Sequence, residues 1–297
     1  MAVINFGSIN IDHVYQVPHF VQPGETLDST SYQVLLGGKG ANQSIALANA
    51  GTEVLHVGCI NEHDVQFKQV MIKKGINGRF IRCTETPSGH AIIQVTPNGE
   101  NAIFLFGGAN RDICEQDIQK ALADTEVNDW VLLQNETSGT AEVLRQAKAK
   151  GLKVALNPAP MTEDIKALNF TEIDLIIVNE VEAAELSEKT EMAEIESFFR
   201  ANFAHGAVII TQGKKGAKWF TADVTVEVTA FAVDAVDTTA AGDTFIGFFL
   251  AHYQANNHAE SALRYACAAS ALAVTQPGAA QSIPSAEQVT AFLAEQG

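Results

Sequence analysis

Apolar runs of strand length alternate with stretches of helical spacing along most of the chain. Runs at 3–7, 54–58, 130–134, 154–157, 175–179 and 208–211 are almost unbroken by polar residues, as in strands buried on both faces. Between them, 140–150 and 192–203 carry apolar residues at helical spacing, and 259–275 and 285–295 close the chain as two further helices. Alternation of this kind predicts βαβ units: an α/β fold with a central, mostly parallel sheet flanked by helices on both faces.

Two segments break the rhythm. Residues 12–36 hold Pro18, Pro23 and Gly24 and a strand-like stretch at 30–35, with no helical pattern. Residues 89–107 read as a hairpin, 91–96 and 101–106, around Pro97-Asn98-Gly99-Glu100, since Asn-Gly suits the left-handed turn between two strands. Together they predict a small second β-sheet attached to a single domain spanning 1–297. The hairpin's Ile92, Ile93, Phe104 and Phe106 call for one covered face, supplied either by a further element or by the chain's own core.

Composition narrows the function. At 297 residues the chain can bury a substantial core, and its net charge of −16 argues against a nucleic-acid partner, which would need clustered Lys and Arg. A polyanionic substrate would have to be held by local features instead. No apolar run is long enough to span a bilayer and no basic, apolar leader precedes the first strand, so a soluble cytoplasmic protein is expected. Cys59, Cys83, Cys114 and Cys267 are far apart, with no zinc-type spacing, which predicts free thiols.

The chemistry concentrates at two places. In 236–245, Val-Asp-Thr-Thr-Ala-Ala-Gly-Asp-Thr-Phe, small residues lead into Asp243 and then an apolar run. This suits a buried helix whose first N–H groups are open to an anion. A carboxylate there is either a helix cap or a base that takes a proton from an attacking hydroxyl. In 37–43, Gly-Gly-Lys-Gly-Ala-Asn-Gln, glycines let the backbone approach a ligand ahead of a small-residue helix ending near Gly51. Lys39 is followed by Gly40, so this is not a Walker A loop, and the spacing is not that of a dinucleotide fingerprint.

In combination these motifs resemble the paired signatures of the ribokinase-like (PfkB-type) carbohydrate kinases. The resemblance runs from Gly7-Ser8-Ile9-Asn10-Ile11-Asp12 to Gly278 and Ser282, and is strongest to the ribokinase-type members. It implies an ATP-dependent phosphotransferase that moves the γ-phosphate to the 5-hydroxyl of D-ribose, with magnesium required, potassium activating, and two small sheets pairing as lids in a homodimer. By the same resemblance, Asn10, Asp12, Gly38, Lys39, Gly40, Asn42 and Glu136 bind the sugar, although Lys39 also reads as a solvated loop lysine. Asp243 is the base, and the amides of Ala240, Ala241 and Gly242 form the anion hole. Asn179, Thr211, Gly213, Lys214, Gly216 and Gly242 lie near the nucleotide, as does Cys267, where packing is the expected role. Glu182 orders magnesium through water, or with Glu180 merely complements a helix start. Asp237, Thr239, Ala273, Gln276, Gly278 and Ser282 match the potassium site, with Gln276 standing where an arginine is usual. The turn at 58–64 departs from the family's glycine- and aspartate-rich pattern, which leaves room for altered specificity. Rival functions are a family kinase for deoxyribose, another sugar or a nucleoside, and a silent sugar or nucleotide sensor. A dinucleotide-dependent oxidoreductase is disfavoured by the missing fingerprint.

Overall fold

The structure, a computed structural model, describes residues 1–203 and 205–296. The chain opens with β1 (Val3–Phe6), β2 (Asn10–Gln16), β3 (Ser31–Gly37), α1 (Lys39–Asn49), β4 (Val54–Asn61), α2 (Val65–Lys73) and β5 (Asn77–Thr84). The hairpin β6 (Gly89–Val95) and β7 (Asn101–Phe106) follows, then α3 (Glu115–Leu122), β8 (Trp130–Gln134), α4 (Thr140–Ala149), β9 (Lys153–Asn157), the short α5 (Glu163–Lys166) and β10 (Leu175–Asn179). The last third holds α6 (Glu180–Ser187), α7 (Met192–Asn202), β11 (Ala207–Thr211), β12 (Ala217–Phe220), β13 (Thr225–Val228), α8 (Ala241–Asn256), α9 (Ala259–Ala273) and α10 (Ala286–Glu295).

Nine strands form the central sheet in the order β13-β12-β11-β10-β9-β8-β1-β4-β5. Pairing is parallel from β5 to β11 and antiparallel for β12 and β13. Side chains alternate between two cores. Val3, Leu132, Ile177 and Ile209 pack with α1, α8 and α9 on one face. Ile4, Phe6, Leu133, Val178 and Ile210 pack with α3, α4, α6 and α7 on the other. The mostly parallel sheet between helical layers agrees with the sequence. The outer strands β5, β12 and β13 go beyond it: β5 reads Asn-Gly-Arg-Phe-Ile-Arg-Cys-Thr and is only partly buried, so it lacks the apolar run by which its neighbours are recognised.

The second sheet has the order β3-β2-β6-β7, with β2 and β6 parallel and both outer pairs antiparallel. It begins at Asn10, inside the stretch read as following the first strand. Asn10 and Asp12 therefore stand on the small sheet, not at the end of a central strand. In β7, Ile103, Phe104, Leu105 and Phe106 are each about half exposed, from 49% to 62%. Ile92 and Ile93 of β6 are partly buried, but packing on the chain's own core does not cover β7.

Candidate active site

The site gathers where the carboxyl ends of β1, β8, β10 and β11 meet the starts of α1, α6 and α8, the usual place for ligands in open parallel sheets. Two glycines set its frame. Gly38, at φ +93°, turns the chain into α1 in a conformation side chains disfavour. A Cβ on Gly40 would stand 2.3 Å from the Gly7 Cα, so only glycine lets the first turn of α1 rest on the turn after β1. That contact directs Asn42 and Gln43 toward α8.

On the side of the small sheet lie Asn10, Asp12, Lys39 and Glu136. Asn10 is buried and its Oδ1 accepts from Asn110 Nδ2 at 2.7 Å, while Asn110 Oδ1 accepts the Ile9 N–H at 2.9 Å. Gly37 makes room for the Asp12 carboxylate: a Cβ there would lie 1.9 Å from Asp12 Oδ2. Glu136 Oε2 accepts from Ser8 Oγ and from the Lys39 N–H at 3.1 Å, and Oε1 stands 3.7 Å from Lys39 Nζ. Burial, reinforced by the Glu136 charge, pushes Asp12 up to about 7. Burial acts to lower the Lys39 ammonium, but Asp243, Glu136 and Glu182 together hold it above its ordinary value. Lys39 thus belongs to a charged cluster and is not a solvated loop lysine. Its charge compensates three carboxylates that would otherwise repel each other and any phosphate.

The start of α8 is an anion-receptive turn. Ala240 adopts a left-handed conformation, φ 58°. The Ala241 N–H bonds Thr238 O at 3.3 Å, whereas those of Ala240, Gly242 and Asp243 have no partner among the described residues. Asp243 caps nothing. Its Oδ2 accepts from Asn42 Nδ2 at 3.0 Å and its Oδ1 from Gln43 Nε2 at 2.9 Å. Burial raises its carboxyl to about 6, against the opposing pull of Lys39 and of the two amides. A carboxylate so placed can accept a proton near neutral pH.

A cavity of about 200 Å³ opens in front of this turn, lined by Lys39, Asn179, Glu182, Thr211, Thr238 and Ala240–Asp243 among others. Asn179 and Glu182 form a capping box on α6: the Glu182 N–H donates to Asn179 Oδ1 at 2.9 Å and the Asn179 N–H to Glu182 Oε2 at 3.0 Å. Burial nevertheless leaves the Glu182 carboxyl above its ordinary range, with the Asn179 N–H and Lys39 opposing. Glu182 therefore caps the start of α6 and also lines the cavity. Thr211, Thr238, Ala241 and Gly242 also line a second pocket of about 470 Å³, walled by Gly213, Lys214, Gly216, Phe231, Val233, Phe245, Cys267 and Val274. Cys267 is buried in that wall, and burial pushes its thiol up to about 12; it is inert packing.

The potassium candidates come together in two facing turns. Asp237 Oδ1 accepts from Thr239 N and Oγ1, and Oδ2 from Gly278 N at 2.9 Å. Gln276 N bonds Ala273 O, and Ser282 Oγ bonds Ala279 O. Both Asp237 oxygens thus tie the turn before α8 to the turn that holds Gly278.

Sequence reading missed Asn110 and the bond of Gln43 to Asp243, whereas the 58–64 turn, singled out there as a departure, is held beside the small sheet. Asn110 follows Gly107-Gly108-Ala109, a faint echo of the Gly-rich stretch before Asn42, and that was the available signal. In the turn, Asn61 Nδ2 donates to Glu85 O and Thr86 O, and Asp64 accepts from Ser88 Oγ. These contacts tie the turn to the approach of β6, so its altered sequence shapes the footing of the small sheet.

The profile of the pfkB family carbohydrate kinases matches residues 2–286. A ribokinase of Haemophilus influenzae is 38% identical over 97% of this chain and 96% of its own length. A deoxyribokinase of Salmonella typhi is 33% identical over 99% of both chains. The solved structure of Arabidopsis thaliana ribokinase complexed with ribose and ATP superposes with a TM-score of 0.87 at 28% identity, covering 99% of each chain.

Proposed function

This chain belongs to the pfkB family of carbohydrate kinases, phosphotransferases acting on sugar hydroxyls, and we propose that it is a cytoplasmic ATP-dependent ribokinase that makes D-ribose 5-phosphate. The observation that carries the reading is the position of Asp243, between the cluster of Asn10, Asp12, Lys39 and Glu136 on one side and the anion-receptive turn and pockets on the other. Asn42 Oδ1 is buried without a partner among the described residues, as suits a group whose partner is a sugar hydroxyl.

In this mechanism the 5-hydroxyl oxygen attacks the γ-phosphorus of ATP, its proton passes to Asp243 Oδ, and the bond to the bridging oxygen breaks to leave ADP. The free N–H groups at the start of α8 stabilise charge growing on the transferred phosphoryl oxygens. Asn10, Asp12, Gly38, Gly40, Asn42 and Glu136 orient the ribose, and Lys39 balances the carboxylates around it. The 470 Å³ pocket, apolar on most walls, takes the adenosine, with Asn179, Thr211, Gly213, Lys214 and Gly216 nearer the phosphates. Glu182 presents a carboxylate to the phosphate cavity, which fits a magnesium ion that keeps most of its waters; bound there, magnesium would neutralise phosphate charge. Carbonyls near Asp237, Thr239, Ala273, Gln276, Gly278 and Ser282 would hold potassium. The half-exposed apolar residues of β7 support a homodimer formed through the small sheets, which would act as lids.

The test is ADP release with magnesium over ribose, 2-deoxyribose, fructose, adenosine and uridine, with and without potassium. Preference for ribose with potassium stimulation is expected. The deoxyribokinase relative makes deoxyribose the rival acceptor. If Asp12 binds a ring hydroxyl absent from deoxyribose, that sugar will be much the poorer substrate; equal use of both would overturn the ribose assignment and leave the kinase. Absence of turnover on every acceptor, with ATP still bound, would favour a sensor.

A further inference from the structure

Behind Asp243 a continuous line of polar side chains runs into the core between α1 and the central sheet. Asn5, Gln43, Ser44 and His56 are fully buried and Gln134 is 1% exposed. Gln43 Nε2 donates to Asp243 Oδ1 and Gln43 Oε1 accepts from Gln134 Nε2 at 2.8 Å. Gln134 Nε2 also donates to Asn5 Oδ1 at 2.9 Å. Asn5 Nδ2 donates to Gly40 O and to Ser44 Oγ, both at 2.8 Å, Ser44 Oγ meets His56 Nδ1 at 2.8 Å, and His56 Nε2 meets Gly7 O at 3.0 Å.

We propose that Gln43 is a positioning residue that holds the Asp243 carboxylate in its reactive orientation, and that the line Gln134–Asn5–Ser44–His56 dictates which way the Gln43 amide faces. The proposal rests on the reading of Asp243 as the base. Its argument is the direction of each bond. A backbone carbonyl only accepts, so Gly7 O requires His56 Nε2 to carry the hydrogen and leaves Nδ1 as an acceptor. Ser44 must then donate to Nδ1 and accept from Asn5. Gly40 O, a second acceptor, independently fixes the same face of the Asn5 amide. Asn5 Oδ1 can therefore only accept, Gln134 must offer it an N–H, and the other Gln134 hydrogen meets Gln43 Oε1. Gln43 is left with its Nε2 toward Asp243. Reversing that amide would set a carbonyl against a carboxylate. Burial keeps His56 neutral, its pKa lowered to about 4, so the line does not reverse at neutral pH. The arrangement leaves Gln134 Oε1 buried without a partner, a cost consistent with a line whose direction matters more than full pairing. The charged groups facing Asp243 are Lys39 and Glu136; neither bonds its carboxylate, so its orientation falls to Asn42 and Gln43.

The test uses the full-length protein carrying Gln43→Glu, which keeps the shape of the side chain and removes the N–H donor. At pH 8 kcat is expected to fall by on the order of 10², the scale of a misplaced reacting group, with KM for sugar and ATP little changed. The Asp243 carboxyl, followed by carbon NMR of aspartate-labelled protein and assigned with Asp243→Asn, is expected to titrate higher by about one unit or more, because a donor is lost and a like charge gained. The paired change Ser44→Ala with His56→Phe should shift both readouts the same way by less. Should Gln43→Glu fail to fold, Gln134→Met, which leaves Gln43 in place without its support, carries the same expectation. Unchanged kcat with an unchanged Asp243 titration, or a loss confined to KM, would overturn the proposal. Full turnover by Asp243→Asn would instead remove the base assignment, while the titration would still report whether Gln43 governs the carboxylate.

Discussion

The two halves of the site are built from different materials. The half beneath the small sheet is made of side chains: Asp12, Lys39, Glu136 and Asp243 are charged groups, of which burial raises Asp12 and Asp243 while the neighbouring carboxylates raise Lys39 against its burial. The half that faces β11, α8 and α9 is made of backbone and small or apolar residues, among them Gly213, Gly216, Gly242, Val233 and Val274. The difference teaches where chemistry and specificity reside. A sugar offers only hydroxyls, so its recognition needs directed donors and acceptors. A nucleotide offers a flat apolar base and phosphates that helix starts and free amides can hold without dedicated side chains. Substitutions in the first half should therefore strike rate and acceptor choice, and those in the second should matter only where they fill space a ligand needs.

The sharpest way to break this contrast is Asp243→Asn. We expect kcat to fall by on the order of 10²–10⁴, the usual span for loss of a general base, with ATP binding nearly intact by calorimetry. In the parent enzyme kcat/KM should decline on the acid side as Asp243, at about 6, takes up its proton. An equal loss in ATP affinity would show that the two halves are not separable.

Asp12→Asn should come next, lowering kcat/KM for ribose by roughly 10–100-fold, the cost of one hydrogen bond to a charged group, and narrowing the preference over deoxyribose. The same change has an opposite effect on stability. The folded pKa of about 7 lies above the ordinary carboxyl value of 3.8, so the folded state binds this proton more tightly than the unfolded one. The associated stability is fully present below 3.8 and is lost as pH rises through about 7. Asparagine carries no charge to lose. Urea melts at pH 8 should therefore find the ligand-free variant more stable than the parent, by on the order of 2 kcal/mol. Lower stability at pH 8 would mean that the ionised carboxylate is already well compensated.

Legibility in the sequence follows the same division. The strands buried on both faces announced themselves as apolar runs, and Asp12, Lys39, Asn42, Glu136 and Asp243, which the structure brings together, stand in motifs distinctive enough to read. What the sequence hid depends on distance in the chain. Asn110 acts on Asn10 from 100 residues away, and Gln43 on Asp243 from 200; neither local pattern nor composition encodes such a meeting. Asn5 and His56 interrupt otherwise apolar strands, and polar residues in a buried strand are visible from sequence, but their partners are not. Strand β5 was hidden because an edge strand keeps one face polar.

Gly242→Ala tests the backbone half with a smaller effect. Gly242 has no positive φ and nothing lies within 4 Å of an added Cβ, so the fold has no need of glycine there. Alanine should raise stability by up to about 1 kcal/mol through helix propensity. The methyl would nevertheless occupy the approach to the free N–H groups, and kcat/KM for ATP should fall about tenfold, on the scale of a weakened anion contact. A gain in melting temperature with a loss in rate would mark the position as reserved for ligand.

The smallest effect should come from Cys267→Ala, which removes a side chain from the wall of the 470 Å³ pocket, proposed to take the nucleotide, without touching the backbone there. Its thiol is buried and uncharged across physiological pH, with burial pushing its pKa up to about 12, so it offers neither charge nor nucleophile. If shape and apolar surface alone govern that half, the KM for ATP should change by no more than about twofold, equivalent to some 0.5 kcal/mol. Stability should fall by about 1 kcal/mol for the small void left in the core shared with Phe245 and Ala266. A larger change in KM than in stability would show that the sulfur itself contacts the base, and the nucleotide half would then rely on a side chain after all.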